Sequence, residues 1–235
     1  MKPDTAKKLL EKVKQDYKTI APEFDKTRKY PWPEFEYFKK YIRKNDTILD
    51  IGCGNGRLYD FFNNFTKINY IGIDNNHALI KLAQKNYPSA NFLVGNFIDI
   101  PPIRKSNIAL AIASLHHIPS RHLRKKSIRE INKNLKNDGL MIITVWNLFQ
   151  RTYLKYVIKS LYNFIIQLGK YDWNDTFIPW GKTGVKRYYH AFTPFELKNL
   201  LKNNGFCVIE IFYTRKGKKT SFFNSHNICI ICRKK

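Results

Sequence analysis

Short apolar runs alternate with amphipathic segments from residue 47 to residue 146 of this chain. The apolar runs have the length of strands, and the segments between them carry apolar residues at helical spacing. Predicted strands cover Thr47–Ile51, Tyr70–Ile73, Asn91–Val94, Ile108–Ala113 and Leu140–Trp146, and predicted helices cover Arg57–Phe65, His77–Asn86 and Leu123–Leu135. This alternation predicts an α/β fold, a doubly wound and mostly parallel sheet with helices on both faces.

The chain before the first predicted strand has the pattern of a helical cap. Lys8–Tyr17 places apolar residues on one stripe, and Glu34–Arg43 repeats this pattern. Between them, Ala21–Pro33 is rich in proline and aromatic residues, so we expect that it does not form one continuous helix. We assign residues 1–46 to an N-terminal helical cap segment.

The pattern changes again after the fifth predicted strand. Phe149–Leu168 predicts a long apolar and basic helix, and Lys170–Ala191 predicts an irregular, aromatic-rich segment. We therefore expect residues 148–192 to form a substrate cap within a single domain over residues 1–235. The remaining predictions are a helix opened by the capping box Thr193–Glu196, and an antiparallel hairpin of Cys207–Tyr213 and His226–Cys232 at the sheet edge.

The formal net charge is +24, from 42 Lys and Arg against 18 Asp and Glu. Such an excess favours a polyanionic partner, either nucleic acid or an anionic membrane, although an AT-rich genome also raises the lysine content. No apolar run approaches the roughly 20 residues of a spanning helix. The charged N-terminus lacks a signal-peptide core. We therefore expect a cytoplasmic protein that binds nucleic acid and has no stable membrane association.

The four cysteines are too few for a disulfide scaffold. Cys229 and Cys232 form a C-x-x-C pattern inside an apolar run, and a strand there would point them to opposite faces. A zinc site also needs more ligands than this pair offers. We therefore expect core cysteines and no metal site.

A glycine-rich turn, Asp50–Gly56, follows the first predicted strand and precedes the first predicted helix. Glycines let the backbone approach a ligand closely, and a helix N-terminus offers free N–H donors. Asp74 ends the second strand, where a carboxylate can accept hydrogen bonds from ribose hydroxyls. The spacing is Gly-x-Gly-x-Gly, not the dinucleotide Gly-x-Gly-x-x-Gly. The carboxylate of Asp50 before the glycines disfavours a phosphate and favours a cofactor with a cationic amino-acid end.

The run Leu-Asp-Ile-Gly-Cys-Gly-Asn-Gly-Arg at residues 49–57 closely resembles motif I of the class I S-adenosylmethionine-dependent methyltransferases. The resemblance implies a Rossmann-like seven-stranded sheet with an antiparallel last strand, and S-adenosylmethionine as the cofactor. It also implies that Asp74 binds the ribose and that Asn96 and Phe97 clamp the adenine. The implied cofactor contacts are Tyr17, Arg28, Gly52, Cys53, Gly54, Asn55, Gly56, Asp74, Asn75, Asn96, Phe97, Ser114 and Leu115.

The segment Tyr17–Pro33 is similar to the signature of the tRNA wobble-uridine methyltransferases, above all in Thr-Arg-x-x-Pro-Trp-Pro at residues 27–33. The same family is resembled at Leu115–His117, Val145–Asn147, Phe177–Trp180 and Arg187–His190. This resemblance implies methyl transfer to the carboxylate of 5-carboxymethyluridine at the wobble position. It implies tRNA as a partner through its anticodon arm, and a small zinc-binding activator protein as a further partner.

A carboxylate substrate is already ionised at neutral pH, so methyl transfer requires positioning and no general base. Arg28 and Arg187 are candidates to bind it, because arginine grips a carboxylate bidentately. We expect His116 to donate a hydrogen bond, and only one of His116 and His117 to face the site. The candidate catalytic residues are Arg28, His116, Arg187 and Trp146, and the candidate walls around a flipped base are Trp32, Trp146, Trp180 and Tyr189.

Alternatives stay open for several of these residues. Trp32 can pin the N-terminal segment, Trp146 can belong to the core, and Arg187 can be a surface phosphate contact. Phosphate contacts to tRNA are expected within Arg121–Lys126, Arg151–Lys159 and Arg215–Lys219, with Lys125 and Arg215 as substrate-binding candidates. Two rival functions are a methyltransferase of a small or lipid-linked acid, with residues 149–171 at a membrane surface, and a non-catalytic cofactor-binding module associated with RNA.

Overall fold

The computed structural model describes residues 1–28, 30–166, 170–181 and 183–235. Strands follow helices along the chain as the alternating pattern predicts. The strands are β1 Thr47–Ile51, β2 Asn69–Asp74, β3 Asn91–Val94, β4 Ser106–Ile112, β5 Leu135–Trp146, β6 Asp175–Pro179, β7 Lys186–His190, β8 Phe206–Arg215, β9 Lys218–Thr220 and β10 Asn227–Lys234. The helices are α1 Pro3–Thr27, α2 Arg57–Phe65, α3 His77–Asn86, α4 Arg121–Asn134, α5 Arg151–Ile166 and α6 Pro194–Lys202, with 3₁₀ turns at Pro33–Tyr41, Leu115–His117 and Phe222–Asn224.

The main sheet has the order β3-β2-β1-β4-β5-β10-β8-β9. Strands β1 to β5 pair in parallel, whereas β10 runs antiparallel to both β5 and β8. The predicted doubly wound α/β fold with an antiparallel last strand is therefore confirmed. The count differs from the predicted seven because the short strand β9 adds an eighth at the edge beside β8.

The two C-terminal strands pair as an antiparallel hairpin at this end of the sheet, as predicted. β10 lies between β5 and β8, so it is the inner strand of the hairpin. The reason is its continuous apolar run, Ile228–Cys232, which is buried on both faces of the sheet. Cys229 packs in the core on one face and Cys232 in the core on the other, as the strand period predicts.

The N-terminal helix extends further than the sequence predicts. α1 runs from Pro3 to Thr27, past the predicted end at Tyr17, and passes through Pro22. Ala21–Pro33 is nevertheless not one continuous helix, as predicted, because α1 ends at Thr27. Beyond Pro22, the ring of Phe24 lies 5.8 Å from that of Tyr17 and 6.3 Å from that of Trp180. This packing holds the last turns in place and outweighs the hydrogen bond that proline cannot donate. The helix predicted over residues 34–43 is a 3₁₀ helix, Pro33–Tyr41.

The insertion after β5 contains more regular structure than predicted. Its helix α5 is as expected, except that Gln167 and Leu168 lie outside the described residues. The segment predicted as irregular instead holds the antiparallel hairpin β6–β7, which forms a second, two-stranded sheet. Tyr188 and Tyr189 are both fully buried, so each face of the hairpin has its own packing partners. Successive aromatic residues thus concealed the alternation that would have predicted a strand.

The capping box before α6 is half formed. Thr193 Oγ1 accepts a hydrogen bond from the backbone N–H of Glu196, as predicted. In a complete capping box the Glu196 carboxylate would accept a hydrogen bond from the backbone N–H of Thr193. Here it accepts hydrogen bonds from His190 and Asn174 instead. Along the described ranges of the chain, none of the helices combines the length and apolar character needed to span a bilayer.

Candidate active site

The glycine-rich turn leaves β1 at the carboxyl edge of the sheet and leads into α2. Gly52, Gly54 and Gly56 have φ values of +79°, +57° and +81°, in the left-handed region that favours glycine. A side chain at position 52 would also place its Cβ 2.5 Å from the Cβ of Ser114. Because the turn has glycines at these positions, no side chains fill the space above the ends of the strands.

Asp74 lies beside this turn at the end of β2. Its carboxylate accepts hydrogen bonds from the backbone N–H groups of Gly54 and Asn76, at 3.0 and 2.9 Å. Burial raises the pKa of Asp74 to about 6, although these backbone donors oppose the rise. Below it, the fully buried Asp50 accepts a hydrogen bond from the Tyr70 hydroxyl, and burial raises the pKa of Asp50 to about 7.

A cavity of about 440 Å³ opens between this turn, α1, the ends of β4 and β5, and the hairpin β6–β7. This volume is in the range of small-molecule and cofactor sites. The cavity wall brings together most of the residues that the sequence predicted for a site. These are Tyr17, Arg28, Trp32, Gly52, Cys53, Gly54, Asn55, Asp74, Asn75, Asn96, Phe97, Ser114, His116, Trp146, Arg187 and Tyr189.

Arg187 on β7 is a buried cation enclosed by aromatic rings. Its guanidinium carbon lies 4.2 Å from the ring centre of Trp180, 5.0 Å from that of Tyr189 and 5.4 Å from that of Trp146. Its only hydrogen bond within the described residues is from Nη1 to the Tyr17 hydroxyl, at 3.2 Å, and Nε is buried without a partner. Among the described residues no carboxylate pairs with it. A buried charge without a counter-ion points to an anionic ligand.

The hydrogen bond between Arg187 and Tyr17 is one of a series of hydrogen bonds that continues to His117, and the position of each proton in the series can be assigned. His117 Nδ1 lies 2.8 Å from the carbonyl oxygen of Tyr188, which can only accept, so Nδ1 carries the proton. Nε2 must then accept from the Tyr17 hydroxyl, 2.8 Å away. The oxygen of Tyr17 is consequently left to accept from Arg187. Burial and the nearby charge of Arg187 lower the pKa of His117 to about 3, so this histidine stays neutral.

His116 uses its ring differently. Its Nδ1 accepts the backbone N–H of Trp146 at 3.2 Å, so the proton of the neutral ring is on Nε2. Burial, followed by repulsion from His117 and Arg187, lowers the pKa of His116 well below the ordinary value, which makes it a poor base. Both histidines line the cavity, contrary to the expectation that only one would do so, because a single 3₁₀ turn carries them.

Arg28 and Trp32 reach the cavity from the N-terminal segment. The guanidinium carbon of Arg28 lies 5.3 Å from the ring centre of Trp180 and 5.6 Å from that of Phe24. Burial lowers the pKa of Arg28, and repulsion from Arg187 adds to this effect. Asn55 holds the segment in place by donating to Asp25 Oδ1 and to the carbonyl of Arg28.

Five residues predicted for the site do not line the cavity. Gly56 caps α2 and faces Phe92, and the Leu115 side chain is fully buried in the core. Trp180 is not part of the cavity wall, but it contacts the lining residues Arg187 and Arg28. Lys125, on α4, lines a second cavity, and Arg215 ends β8.

Several residues of the cavity wall were not among the predicted site residues, and Phe24 and Arg57 are two of them. Arg57 begins α2 directly after the glycine turn, and its guanidinium carbon lies 4.4 Å from the ring centre of Trp32. Its Nη1 is buried without a partner in the described part of the chain. Burial and repulsion from Arg28 lower the pKa of Arg57, yet the group stays charged at neutral pH. Its position next to the glycines was the signal that could have identified it.

Comparison with known proteins agrees with this architecture. The fold and the cavity at the ends of β1, β2 and β4 define a Rossmann-like methyltransferase. A family model described as a methyltransferase domain matches residues 24–211. Since this match spans most of the chain, the protein belongs to the methyltransferase domain family, as the motif predicted.

Two relatives carry the same printed name, tRNA (carboxymethyluridine(34)-5-O)-methyltransferase. The protein of Schizosaccharomyces pombe is 29% identical over 227 residues, covering 87% of this chain and 92% of the relative. The protein of Arabidopsis thaliana is 34% identical over 145 residues, covering 61% of this chain. This chain spans only about a third of the Arabidopsis protein, 34% of its length.

Two solved structures share the fold. A SAM-dependent methyltransferase of Methanosarcina mazei has 25% sequence identity and a TM-score of 0.69, covering 87% of this chain and 97% of its own. A methyltransferase of Haloferax volcanii, solved in complex with the Trm112 methyltransferase activator, has 13% identity and a TM-score of 0.64, covering 94% of this chain and 97% of its own.

Proposed function

We propose that this protein transfers a methyl group from S-adenosylmethionine to the carboxylate of 5-carboxymethyluridine at the wobble position of tRNA. The observation that carries the proposal is Arg187, a buried guanidinium that faces the cavity without a carboxylate partner among the described residues. A substrate carboxylate would neutralise the charge of Arg187 and accept the hydrogen bonds that its guanidinium can still donate. The names of the relatives from Schizosaccharomyces pombe and Arabidopsis thaliana support the same substrate.

The residues beside the glycine turn fit S-adenosylmethionine. Gly52 and Gly54 leave backbone open to the ligand, and the Asp74 oxygens have lone pairs left for two ribose hydroxyls. Asn96 and Phe97 line the same cavity where an adenine would lie. When bound, the cofactor supplies an activated methyl group on a sulfonium that is its own leaving group.

The chain supplies position and water exclusion to this reaction. Arg187 binds and orients the carboxylate, and Arg28 contributes the second positive charge at the same wall. His116 keeps a proton on Nε2 and can donate it in a hydrogen bond, without acting as a base. The stacked rings of Trp146 and Tyr189, 5.2 Å apart, form a flat wall for a flipped base.

The test compares Arg187→Met and Arg187→Lys with the wild type, using labelled S-adenosylmethionine and tRNA that carries carboxymethyluridine. We expect the wild type to form a base-labile methyl ester in tRNA. Both variants should lose kcat/KM by about 100-fold or more, since Arg187→Met removes the buried positive charge and Arg187→Lys removes the bidentate guanidinium. The Kd of S-adenosylhomocysteine should change little.

Arg43→Met is the matched control, because Arg43 is exposed and does not line the cavity. It should retain wild-type kinetics. Equal activity of Arg187→Met and the wild type would refute the role of Arg187. A wild type that labels no tRNA would refute the proposed function itself.

A second candidate function is methylation of a small or lipid-linked acid. The observation in its favour is the outer face of α5, where Ile158, Leu161 and Ile165 are exposed beside Lys155 and Lys159. Such a face has the pattern of a helix that lies on an anionic membrane. The same assay separates the two candidates, because this one predicts label in a small acid and none in tRNA.

We also propose that a small zinc-binding activator protein binds this chain. The Haloferax volcanii methyltransferase of the same fold was solved with an activator. In this chain β3 ends the sheet, pairs on one side only and exposes Val94. Co-expression with such an activator should raise the soluble yield and the activity. Full yield and activity of the chain alone would contradict the proposal.

The compartment we propose is the cytoplasm. All four cysteines, of which Cys53, Cys229 and Cys232 are buried, are free thiols, and a reducing compartment preserves them. Fractionation of the source cells should recover the protein with cytoplasmic markers, and recovery with the membrane fraction would contradict this.

A further inference from the structure

A second cavity of about 440 Å³ lies on the other side of the hairpin β6–β7. Its wall is formed by α4, the end of α5, the loop before β6, the end of β7 and α6. Strand β7 separates it from the first cavity: Arg187 and Tyr189 line the first, and His190 lines the second. Neighbouring residues of one strand therefore form walls of both cavities, as the alternation of a strand requires.

Exposed aromatic rings surround this second cavity. Phe195 on α6 is 74% exposed, Trp173 in the loop before β6 is 41% exposed, and Phe164 on α5 is 38% exposed. In the described parts of the chain, none of the three packs against another aromatic ring or a cation. Leaving large apolar rings in water is unfavourable, and three at one cavity indicate a ligand that covers them.

The polar groups at the floor are already paired with one another. Asp172 forms an ion pair with Arg124 at 2.8 Å, and Glu196 accepts from His190 at 2.7 Å. His190 also contacts Asp175 at 2.8 Å through its other nitrogen, so both ring nitrogens are engaged. Asp172, Asp175 and His190 lie close enough to hold a metal ion together, but Asp172 is already paired with the cation of Arg124.

The rim of the cavity is basic and its wall offers amides. Arg121 and Lys125 on α4 line it, and neither forms an ion pair with a carboxylate in the part of the chain that the structure describes. Asn199 on α6 and Asn203 at its C-terminal end present side-chain amides, which can donate to and accept from the edge of a base. Aromatic rings, cations and amides around one cavity are the groups that bind a nucleotide of a single strand.

We propose that the second cavity binds a nucleotide of the same RNA strand, next to the nucleotide whose base enters the first cavity. The base stacks on Trp173 and Phe195, and Arg121 and Lys125 contact its phosphate. The inference rests on the proposed function, because it takes the substrate to be tRNA. The occupant is RNA and not a second copy of this chain, since the net charge of +24 makes two copies repel.

The test measures methyl transfer to an anticodon stem-loop RNA that carries carboxymethyluridine. We expect Phe195→Ala and Trp173→Ala each to raise KM for this RNA about tenfold, the effect of removing one stacking ring. kcat and the Kd of S-adenosylhomocysteine should stay within about twofold of the wild type. Trp173→Phe should recover most of the loss, because it restores an aromatic face.

Phe223→Ala is the matched control, because Phe223 is also 74% exposed but lies in the turn after β9, away from either cavity. Its KM should equal that of the wild type. If Phe195→Ala behaves like Phe223→Ala while the wild type methylates the RNA, the second cavity binds no nucleotide and the inference is wrong. If Trp173→Ala unfolds, it loses S-adenosylhomocysteine binding. The KM of Phe195→Ala, a substitution at a largely exposed position, then decides whether the inference holds.

A second readout separates this inference from the proposed function. The same stem-loop, with thiouridine beside the wobble position, is cross-linked by light and the protein is digested for mass spectrometry. Cross-links to peptides with Trp173 or Phe195 support the inference even if no methyl group is transferred. Transfer without a cross-link to either peptide contradicts the inference and leaves the proposed function standing.

Discussion

Arg187 is held in place by aromatic faces and one hydroxyl, and no protein carboxylate pairs with it in the described part of the chain. Each cation–π contact contributes about 0.5–2 kcal/mol, less than the cost of burying an isolated charge. A carboxylate of the protein next to Arg187 would offset the free-energy cost of burying the charge, but it would also compete with an anionic substrate for the guanidinium. The aromatic cage thus keeps the cation buried, oriented and available, which is what carboxylate recognition requires.

We expect the carboxylate of Asp74 to make cofactor binding depend on pH. Its pKa is raised by burial to about 6 before a ligand binds. Ribose hydroxyls donate to the ionised form, so binding below that pH requires loss of a proton. We expect the Kd of S-adenosylhomocysteine to be constant above about pH 6 and to rise by up to tenfold per unit below it, measured by titration calorimetry.

Asp74→Asn is the decisive control for this pH dependence. It should bind more weakly than the wild type, with little change across the same pH range. Because burial also raises the pKa of Asp50, to about 7, Asp50→Asn is measured in parallel and should keep the dependence. If the pH dependence disappears in Asp50→Asn and survives in Asp74→Asn, it arises from Asp50, and the role given to Asp74 is wrong.

Most of the site residues that residue types and motifs predicted line the cavity, including Arg28, Asp74 and Arg187. They could not predict that both His116 and His117 line it, because this depends on a 3₁₀ turn that two adjacent histidines do not reveal. The role of Tyr17 between His117 and Arg187 was likewise hidden. These two contacts join residues 100 and 170 positions apart, and only the fold brings them together.

At the scale of elements, hydrophobic period was sufficient for several elements of the sheet and its flanking helices, although β5 begins at Leu135 and not at the predicted Leu140. The bounds of β1, α2, α3 and β3 agree with the prediction, because each has one clear buried face or run and a polar or glycine stop. The prediction was wrong where tertiary contacts decide. Hairpin β6–β7 has aromatic residues on both faces, and α1 continues past its proline under the packing of Phe24.

The passage of α1 through Pro22 has a measurable cost. A proline inside a helix removes one backbone hydrogen bond and destabilises it by about 3 kcal/mol relative to alanine. Pro22 is exposed, so its ring has little packing to lose. We expect Pro22→Ala to raise the free energy of unfolding in urea by about 1–3 kcal/mol. Pro33→Ala, at the start of the 3₁₀ helix, is the comparison and should give no gain. A lower stability of Pro22→Ala would contradict a continuous α1.

On the scale of the whole molecule, the two cavities share the hairpin β6–β7 as a common wall. The glycine turn and β-strand ends form the floor of the first, and α1 with the insertion forms its sides. The roles of residues 1–46 and 148–192 as caps stay a prediction. That residues 1–235 make one domain stays a prediction, which limited proteolysis with bound S-adenosylhomocysteine can test.

The net charge of +24 makes a prediction that belongs to the molecule as a whole. Binding of RNA to lysine and arginine releases counter-ions, so affinity for an anticodon stem-loop should fall at least about 100-fold between roughly 50 and 200 mM salt. Lys125→Gln and Arg215→Gln should each reduce the slope of log K against log salt by about 1. Both residues lie outside the first cavity, so kcat should not change. S-adenosylhomocysteine binding is the control and should be nearly independent of salt. If RNA binding does not change with salt, the excess of positive charge reflects amino-acid composition alone. The protein would then recognise its substrate through the two cavities and not through contacts with the RNA phosphates.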